Sequence, residues 1–194
     1  MVTWSNEPMF IPEGAPQGPQ YLSHEDEGNS IAVWDIKTGY LLRTFPAQTT
    51  PTSNGTEEGA GAKKQQMQWP ALKWSADDRY VARVAPGQQI SVYELPGMGL
   101  LDKKSIKIEG VVDFEWCPLG DRDREDMEKA SVGSTAKNKK PKENMLVYWT
   151  PEMGNQPARV SLMSIPSRNV LRSKNLFNVT EVSFILYFFL QHCQ

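Results

Sequence analysis

WPALKWSADDRYVARVAPGQQISVYELPGMGLLDKKSIKIEGVVDFEWCP, residues 69–118, reads as four short strands and the start of a fifth. Leu72 and Trp74 alternate with Lys73 and Ser75, the period-2 pattern of a half-buried strand. Ala76-Asp77-Asp78-Arg79 supplies turn chemistry, and Tyr80 to Val84 returns as a β-prone run. Pro86-Gly87 breaks the chain before a third strand, Ile90 to Leu95, closed by Pro96-Gly97. Ser105 to Ile108 forms a fourth, more polar strand that ends at Gly110. The first pattern then restarts, with Val112, Phe114 and Trp116 on one face and Asp113 and Glu115 on the other. The stretch therefore describes one antiparallel sheet handing the chain to the next.

A restart of this kind marks an internal repeat. Ile31 to Ile36, Ile90 to Leu95 and Val160 to Ile165 align without gaps, each apolar at its first, third and sixth places. A second set pairs Leu72 to Ser75 with Phe114 to Cys117. With the polar inserts set aside, the period approaches the ~40 residues of a four-stranded propeller blade, and Trp34-Asp35 echoes the dipeptide of WD repeats. The expected fold is all-β: a WD40-like β-propeller fragment of about three four-stranded antiparallel blades, not closed.

Working outward, residues 1–46 read as a partial first blade with an acidic, Pro- and Gly-rich loop from Asn6 to Asn29. Met1 to Ser5 aligns with the second strand of the later blades, so the chain is expected to begin inside a blade. Residues 47–66 form a Thr-, Ser-, Gly- and Lys-rich insert with little to bury, expected to be a flexible linker. Its Gly59-Ala60-Gly61-Ala62-Lys63-Lys64 lacks the glycine spacing and strand–helix context of a phosphate loop. Residues 67–110 make the second blade and 111–176 the third, the latter interrupted by a charged insert at 120–143. Residues 177–194 start a next blade and pass into an aberrant apolar tail, Phe184 to Leu190, far shorter than the ~20 residues that span a bilayer.

Composition agrees with short strands and turns: 6 Trp, 14 Gly and 14 Pro in 194 residues. A formal net charge of −2 argues against nucleic-acid binding by bulk electrostatics, though not against a local basic patch. Cys117 and Cys193 make neither a disulfide framework nor a metal spacing, which favours a reducing compartment. The sequons at Asn54 and Asn178 read as chance matches in the absence of a signal peptide. His24 lies in an acidic loop and His192 beside Cys193, and no Cys/His pair has the spacing of a metal site or of a nucleophile with its base. Asp77-Asp78 and Asp121/Asp123 read as turn formers, and Trp74 and Trp116 as sheet-packing residues. No catalytic, cofactor-binding or metal-binding residue is expected.

Beyond these patterns, several longer runs resemble one family. Trp69-Pro70, Lys73-Trp74-Ser75, Gly99-Leu100-Leu101-Asp102-Lys103-Lys104-Ser105, Asp113-Phe114-Glu115-Trp116, Pro157-Ala158-Arg159-Val160 and Asn175-Leu176-Phe177-Asn178-Val179 are similar to the propeller of the b subunits of eukaryotic translation initiation factor three, in their fungal forms. The resemblance covers roughly residues 1–180. It implies a non-enzymatic, cytoplasmic scaffold that needs no cofactor or membrane. It also implies binding to other subunits of that factor and to the small ribosomal subunit, protein and rRNA, during start-site selection. In that family an RNA-recognition domain precedes the propeller and a C-terminal segment recruits other subunits. Neither is matched here, so the chain is expected to be an internal fragment that needs the missing blades of its parent propeller. The alternatives are a WD-repeat adaptor of another complex and an enzyme whose active site lies in a missing domain. Gly99–Ser105 and Asn175–Val179 speak against a generic adaptor. Candidate partner contacts are the cations Lys103, Lys104 and Lys107 beside an outer strand, and Lys139, Lys140 and Lys142 in the second insert. On an outer strand such lysines also discourage sheet-to-sheet aggregation.

Overall fold

Strand, turn and strand recur from the first residues onward because each β-prone run is closed by a Gly-, Pro- or Asp-bearing turn. A computed structural model describes residues 1–46, 70–118, 143–179 and 182. Among these residues the architecture is all-β, three open antiparallel sheets in the manner of WD40-like propeller blades. The chain divides into two units, Met1–Ala71 and Leu72–Gln194. The inserts at 47–66 and 120–142, with Lys139, Lys140 and Lys142, lie outside the described residues, as does the apolar tail from Ser183.

The first unit holds a three-stranded sheet in the order β1 (Val2–Trp4), β2 (Ile31–Trp34), β3 (Leu41–Phe45). Ile31 and Val33 are buried on β2 and Phe45 on β3. The Trp-Asp pair proves to be a turn device. Asp35 accepts hydrogen bonds from the Lys37 amide (3.0 Å) and the Thr38 hydroxyl (2.8 Å), closing the β2–β3 hairpin. The acidic loop before β2 is tied down as well. Asp26 accepts from the Ser23 amide (2.8 Å) and from Thr44 on β3 (2.6 Å).

The second unit holds two sheets. One runs β4 (Lys73–Trp74), β5 (Tyr80–Ala85), β6 (Gln89–Glu94), with the short strands β7 (Gly99–Leu100) and β8 (Ile106–Lys107) both paired to β6. The other runs β9 (Asp113–Trp116), β10 (Asn144–Thr150), β11 (Ala158–Ile165), β12 (Val170–Leu176). They share a continuous core: Tyr80, Ala82, Val84, Ile90, Val92 and Leu101 from the first meet Val111, Phe114, Trp116, Leu146, Tyr148, Met163 and Ile165. Tyr80 and Trp116 stack with ring centroids 6.4 Å apart. Burying a side chain such as Phe114 contributes roughly 2–3 kcal/mol.

Two expectations need amendment. The fourth strand of the second blade, expected at Ser105–Ile108, is split. Six steps of chain from Leu100 to Ile106 face only three from Tyr93 to Ile90, so the excess is taken up in a 3-10 turn, Leu101–Lys103. That turn drives Leu101 into the core and holds Asp102 and Lys103 at positive φ. The alternation at Leu72–Ser75 is also not the simple one. Leu72 is buried, but Trp74 is 38% exposed while Ser75 is buried and Lys73 nearly so. The reason is polar: Lys73 and Ser75 have partners inside, and Trp74 is left at the surface.

Candidate interaction surface

The surface of the second unit is set by how its two sheets are clasped, because each clasp crosses from one to the other. On the inner side, Lys73 of β4 lies along the open edge of β9. Its ammonium donates to the Phe114 carbonyl (2.6 Å) and pairs with Asp113 (3.0 Å) and Glu115 (3.0 Å). It also stands 5.2 Å from the Phe114 ring centroid, within cation–π range. The Trp116 indole N–H returns a hydrogen bond to the Lys73 carbonyl (2.8 Å).

At the β4–β5 turn, Asp77 does more than shape the backbone. Its carboxylate is 2% exposed and accepts from the Ser75 hydroxyl (2.7 Å), the Arg79 amide (3.1 Å) and the Asn144 side chain on β10 (2.7 Å), besides pairing with the Arg79 guanidinium. Burial alone would raise its pKa. The hydrogen bonds from Ser75, Asn144 and Arg79 outweigh that and hold it below the ordinary carboxylate value.

The third clasp is on the outer side. Arg168, in the β11–β12 turn, donates from Nη2 to the carbonyls of Leu101 (2.7 Å) and Lys104 (3.0 Å), with the Asp102 carboxylate 3.4 Å away. Its Nε is buried without a hydrogen-bond partner among the described residues. The turn that opens β12 is thereby fixed against the segment carrying Lys103 and Lys104.

Lys103 and Lys104 sit at and just after the 3-10 turn, and Lys107 sits on β8; all three are exposed. A second group of cations lies on the neighbouring sheet. Arg172 and Lys174 are exposed on β12, and Arg159 on β11 donates to Asn175 (3.1 Å). Sequence reasoning missed these. Arg172 and Lys174, two apart in an outer strand, were visible as a basic face. The bond from Arg168 to Lys104, 64 residues apart, was not.

Between the outer segment and β12 opens a cleft of about 410 Å³. Ile108 and Glu109 form one wall, Val170, Ser173 and Ser161 the other, and Tyr148 and Met153 contribute to the rest. A cleft of this size, with mixed lining, suits side chains of a docked segment.

The chemistry elsewhere is sparse. Among the described residues no three His, Cys, Asp or Glu side chains come together as metal ligands. Burial, reinforced by Glu115, pushes the Cys117 thiol pKa up, away from a reactive thiolate. No helix among the described residues is long and apolar enough to cross a membrane.

No family model matches the chain. It is 59% identical over 181 residues to the b subunit of eukaryotic translation initiation factor 3 from Mycosarcoma maydis, taking in 93% of this chain and 23% of that protein. The protein of the same name from Neurospora crassa is 50% identical over 181 residues, or 93% of this chain and 22% of that one. The one from Cryptococcus neoformans var. neoformans is 49% identical over 186 residues, 95% and 23% respectively. The chain thus spans under a quarter of the length of the curated relatives it matches. A solved structure titled "Crystal structure of the eukaryotic initiation factor" superposes with a TM-score of 0.55 at 21% identity, over 95% of this chain and 33% of that one. At that identity the likeness bears on the fold alone.

Proposed function

Since this chain is homologous along 93% of its length to a segment of the b subunit of eukaryotic translation initiation factor 3, we propose that it serves translation initiation as part of a non-catalytic, cytoplasmic scaffold. In this reading its sheets are blades of a larger propeller, and their exposed edges meet other subunits of the factor and the small ribosomal subunit. The observation that carries it is the 59% identity sustained over 181 residues, an extent that a shared repeat alone does not require. The cations Lys103, Lys104 and Lys107, with Lys139, Lys140 and Lys142 of the insert, are proposed contacts to rRNA phosphate or acidic protein surface. The blade boundaries at 46, 66, 110 and 176 belong to the same proposal.

The test is fractionation of an extract from cells expressing the tagged chain. The expected result is co-migration with the small ribosomal subunit and recovery of other subunits of the factor with the tag. Recovery in a different assembly, with neither present, would move the chain to the adaptor class and overturn the reading.

A further inference from the structure

The outer rim of the second unit combines three features that together define a groove. First, β12 is an edge strand: it pairs with β11 and, among the described residues, with no other strand. Its first six residues are all exposed. Along its free edge, backbone N–H and C=O groups are available as a template for a further strand. Second, β12 has two chemically distinct faces. Arg172 and Lys174, two residues apart, share one face, while Val170 and Ser173 line the cleft on the other, because a bulge (Leu162 pairs with Arg172, Met163 with Val170) skips Leu171 and shifts the alternation by one. Third, the cleft is held between two walls. The Arg168 bonds to Leu101 and Lys104 fix one end, and Ile108 and Glu109 stand across from Val170 and Ser173 at the other.

We propose that this rim is a docking groove for an extended segment of a partner protein in which acidic and apolar residues alternate, added as a further antiparallel or parallel strand to β12. The charge pattern selects the chemistry. In an added strand every second side chain lies on the face of Arg172 and Lys174, where opposite charges across neighbouring strands attract. The intervening side chains lie over the cleft, where Val170, Ile108 and Met153 offer apolar surface set among the polar Glu109, Arg159 and Ser173. Lys103, Lys104 and Lys107 extend the positive field along the facing wall and speed the approach of an acidic segment. Backbone bonds supply affinity that is indifferent to sequence, and the alternation supplies selectivity. A polyanion without a backbone ladder, such as RNA, would use the cations and leave the edge and the cleft idle. The groove stands on this chain's own geometry and does not depend on the role proposed in translation.

The experiment uses the whole chain and a fluorescein-labelled peptide of alternating Glu and Val, seven residues long to match the length of β12. Three further probes accompany it: the same peptide with Pro at its central Val, a composition-matched peptide with its Glu and Val in separate blocks, and a single-stranded oligouridine. Fluorescence anisotropy reads affinity, and amide hydrogen exchange reads β12. The alternating peptide is expected to bind and to slow exchange along β12. The Pro-bearing peptide, which lacks a ladder donor, is expected to bind about tenfold more weakly or worse. The paired variant R172E/K174E, at exposed positions, is expected to lose binding by a similar factor and to regain it toward an alternating Lys and Val peptide. Equal binding of the alternating, Pro-bearing and blocked peptides would reduce the rim to a charge patch and overturn the proposal. So would tighter binding of oligouridine, unchanged exchange at β12, or no peptide binding at all.

Discussion

Asp77→Ala tests whether the two sheets of the second unit are held in register by buried polar contacts or only by their shared core. The substitution removes a carboxylate that is 2% exposed and serves donors from Ser75, Arg79 and Asn144. The Asn144 amide, 5% exposed, is left without its 2.7 Å partner, a loss of about 1.5–3 kcal/mol for a bond to a charged group. The Ser75 hydroxyl loses its acceptor but still receives the Tyr80 amide, which adds about 1 kcal/mol at most. The Arg79 guanidinium is 45% exposed and can turn to water, so that pair is discounted to a few tenths of a kcal/mol or less. The expected cost is therefore roughly 2–4 kcal/mol near neutral pH. Urea unfolding followed by tryptophan fluorescence is a suitable assay, since Trp116 and Trp149 are buried in this unit.

The pH dependence makes the test specific. The folded pKa of Asp77 lies below its ordinary value, so its stabilisation is complete above the unfolded pKa near 3.9 and is lost as pH falls through the lower folded value. The gap between wild type and Asp77→Ala should thus be constant from neutral pH down to about 5 and narrow below about 4. Asp77→Asn should cost less, because it keeps an acceptor for Ser75 and the Arg79 amide while Asn144 rotates to accept. A cost for Asp77→Ala below about 1 kcal/mol, or a gap that does not narrow on acidification, would refute the role assigned to this carboxylate.

Lys73→Met should destabilise by about 1–2 kcal/mol, and a double-mutant cycle with Asp113→Ala should give a coupling near 1 kcal/mol that shrinks as salt is added, because both carboxylates are about a third exposed. Phe114→Ala opens a cavity where the two sheets meet and should cost about 3–5 kcal/mol in the same unfolding assay. Gly110 has φ +72°, and an added Cβ would lie 2.8 Å from the Met153 sulfur. Gly110→Ala should therefore cost about 1 kcal/mol or more, with part recovered on adding Met153→Ala. Arg168→Met should speed amide exchange at Leu101–Lys104 while costing only about 1 kcal/mol in global stability, since relief of its buried, unpartnered Nε offsets part of the lost bonding.

The sheets were legible because strand faces and turns are local. Ile31–Trp34, Gln89–Glu94 and Ala158–Ile165, which fall on the aligned runs, are strands each paired on both sides. The split outer strand was less so. Gly99-Leu100-Leu101-Asp102-Lys103 carries no alternation, and only the pairing of Leu100 with Tyr93 and of Ile106 with Ile90 shows where the excess chain goes. Trp74 misled for a different reason. Aromatic residues on a short strand are expected inward, yet the inward positions beside it belong to Lys73, anchored at Asp113 and Glu115 40 or more residues away, and to Ser75. The candidate surface was half visible. Lys103, Lys104 and Lys107 stood out as a cluster in sequence, whereas the facing wall comes from residues joined to them by one arginine.

These placements share a physical logic. Apolar contact between two sheets is non-directional, so a core of Val, Ile, Phe and Tyr sets their relative position less sharply than hydrogen bonds and ion pairs do. Here directional bonds stand beside that core. Lys73 and Trp116 clasp β4 to β9, Asp77 reaches Asn144 at the start of β10, and Arg168 ties the β11–β12 turn to the outer segment. A groove walled by two different sheets keeps a constant width only if both are fixed at that edge. The Arg168 bonds do this next to the cleft, so the gap between Ile108 and Val170 follows from the fold and need not be induced by whatever occupies it.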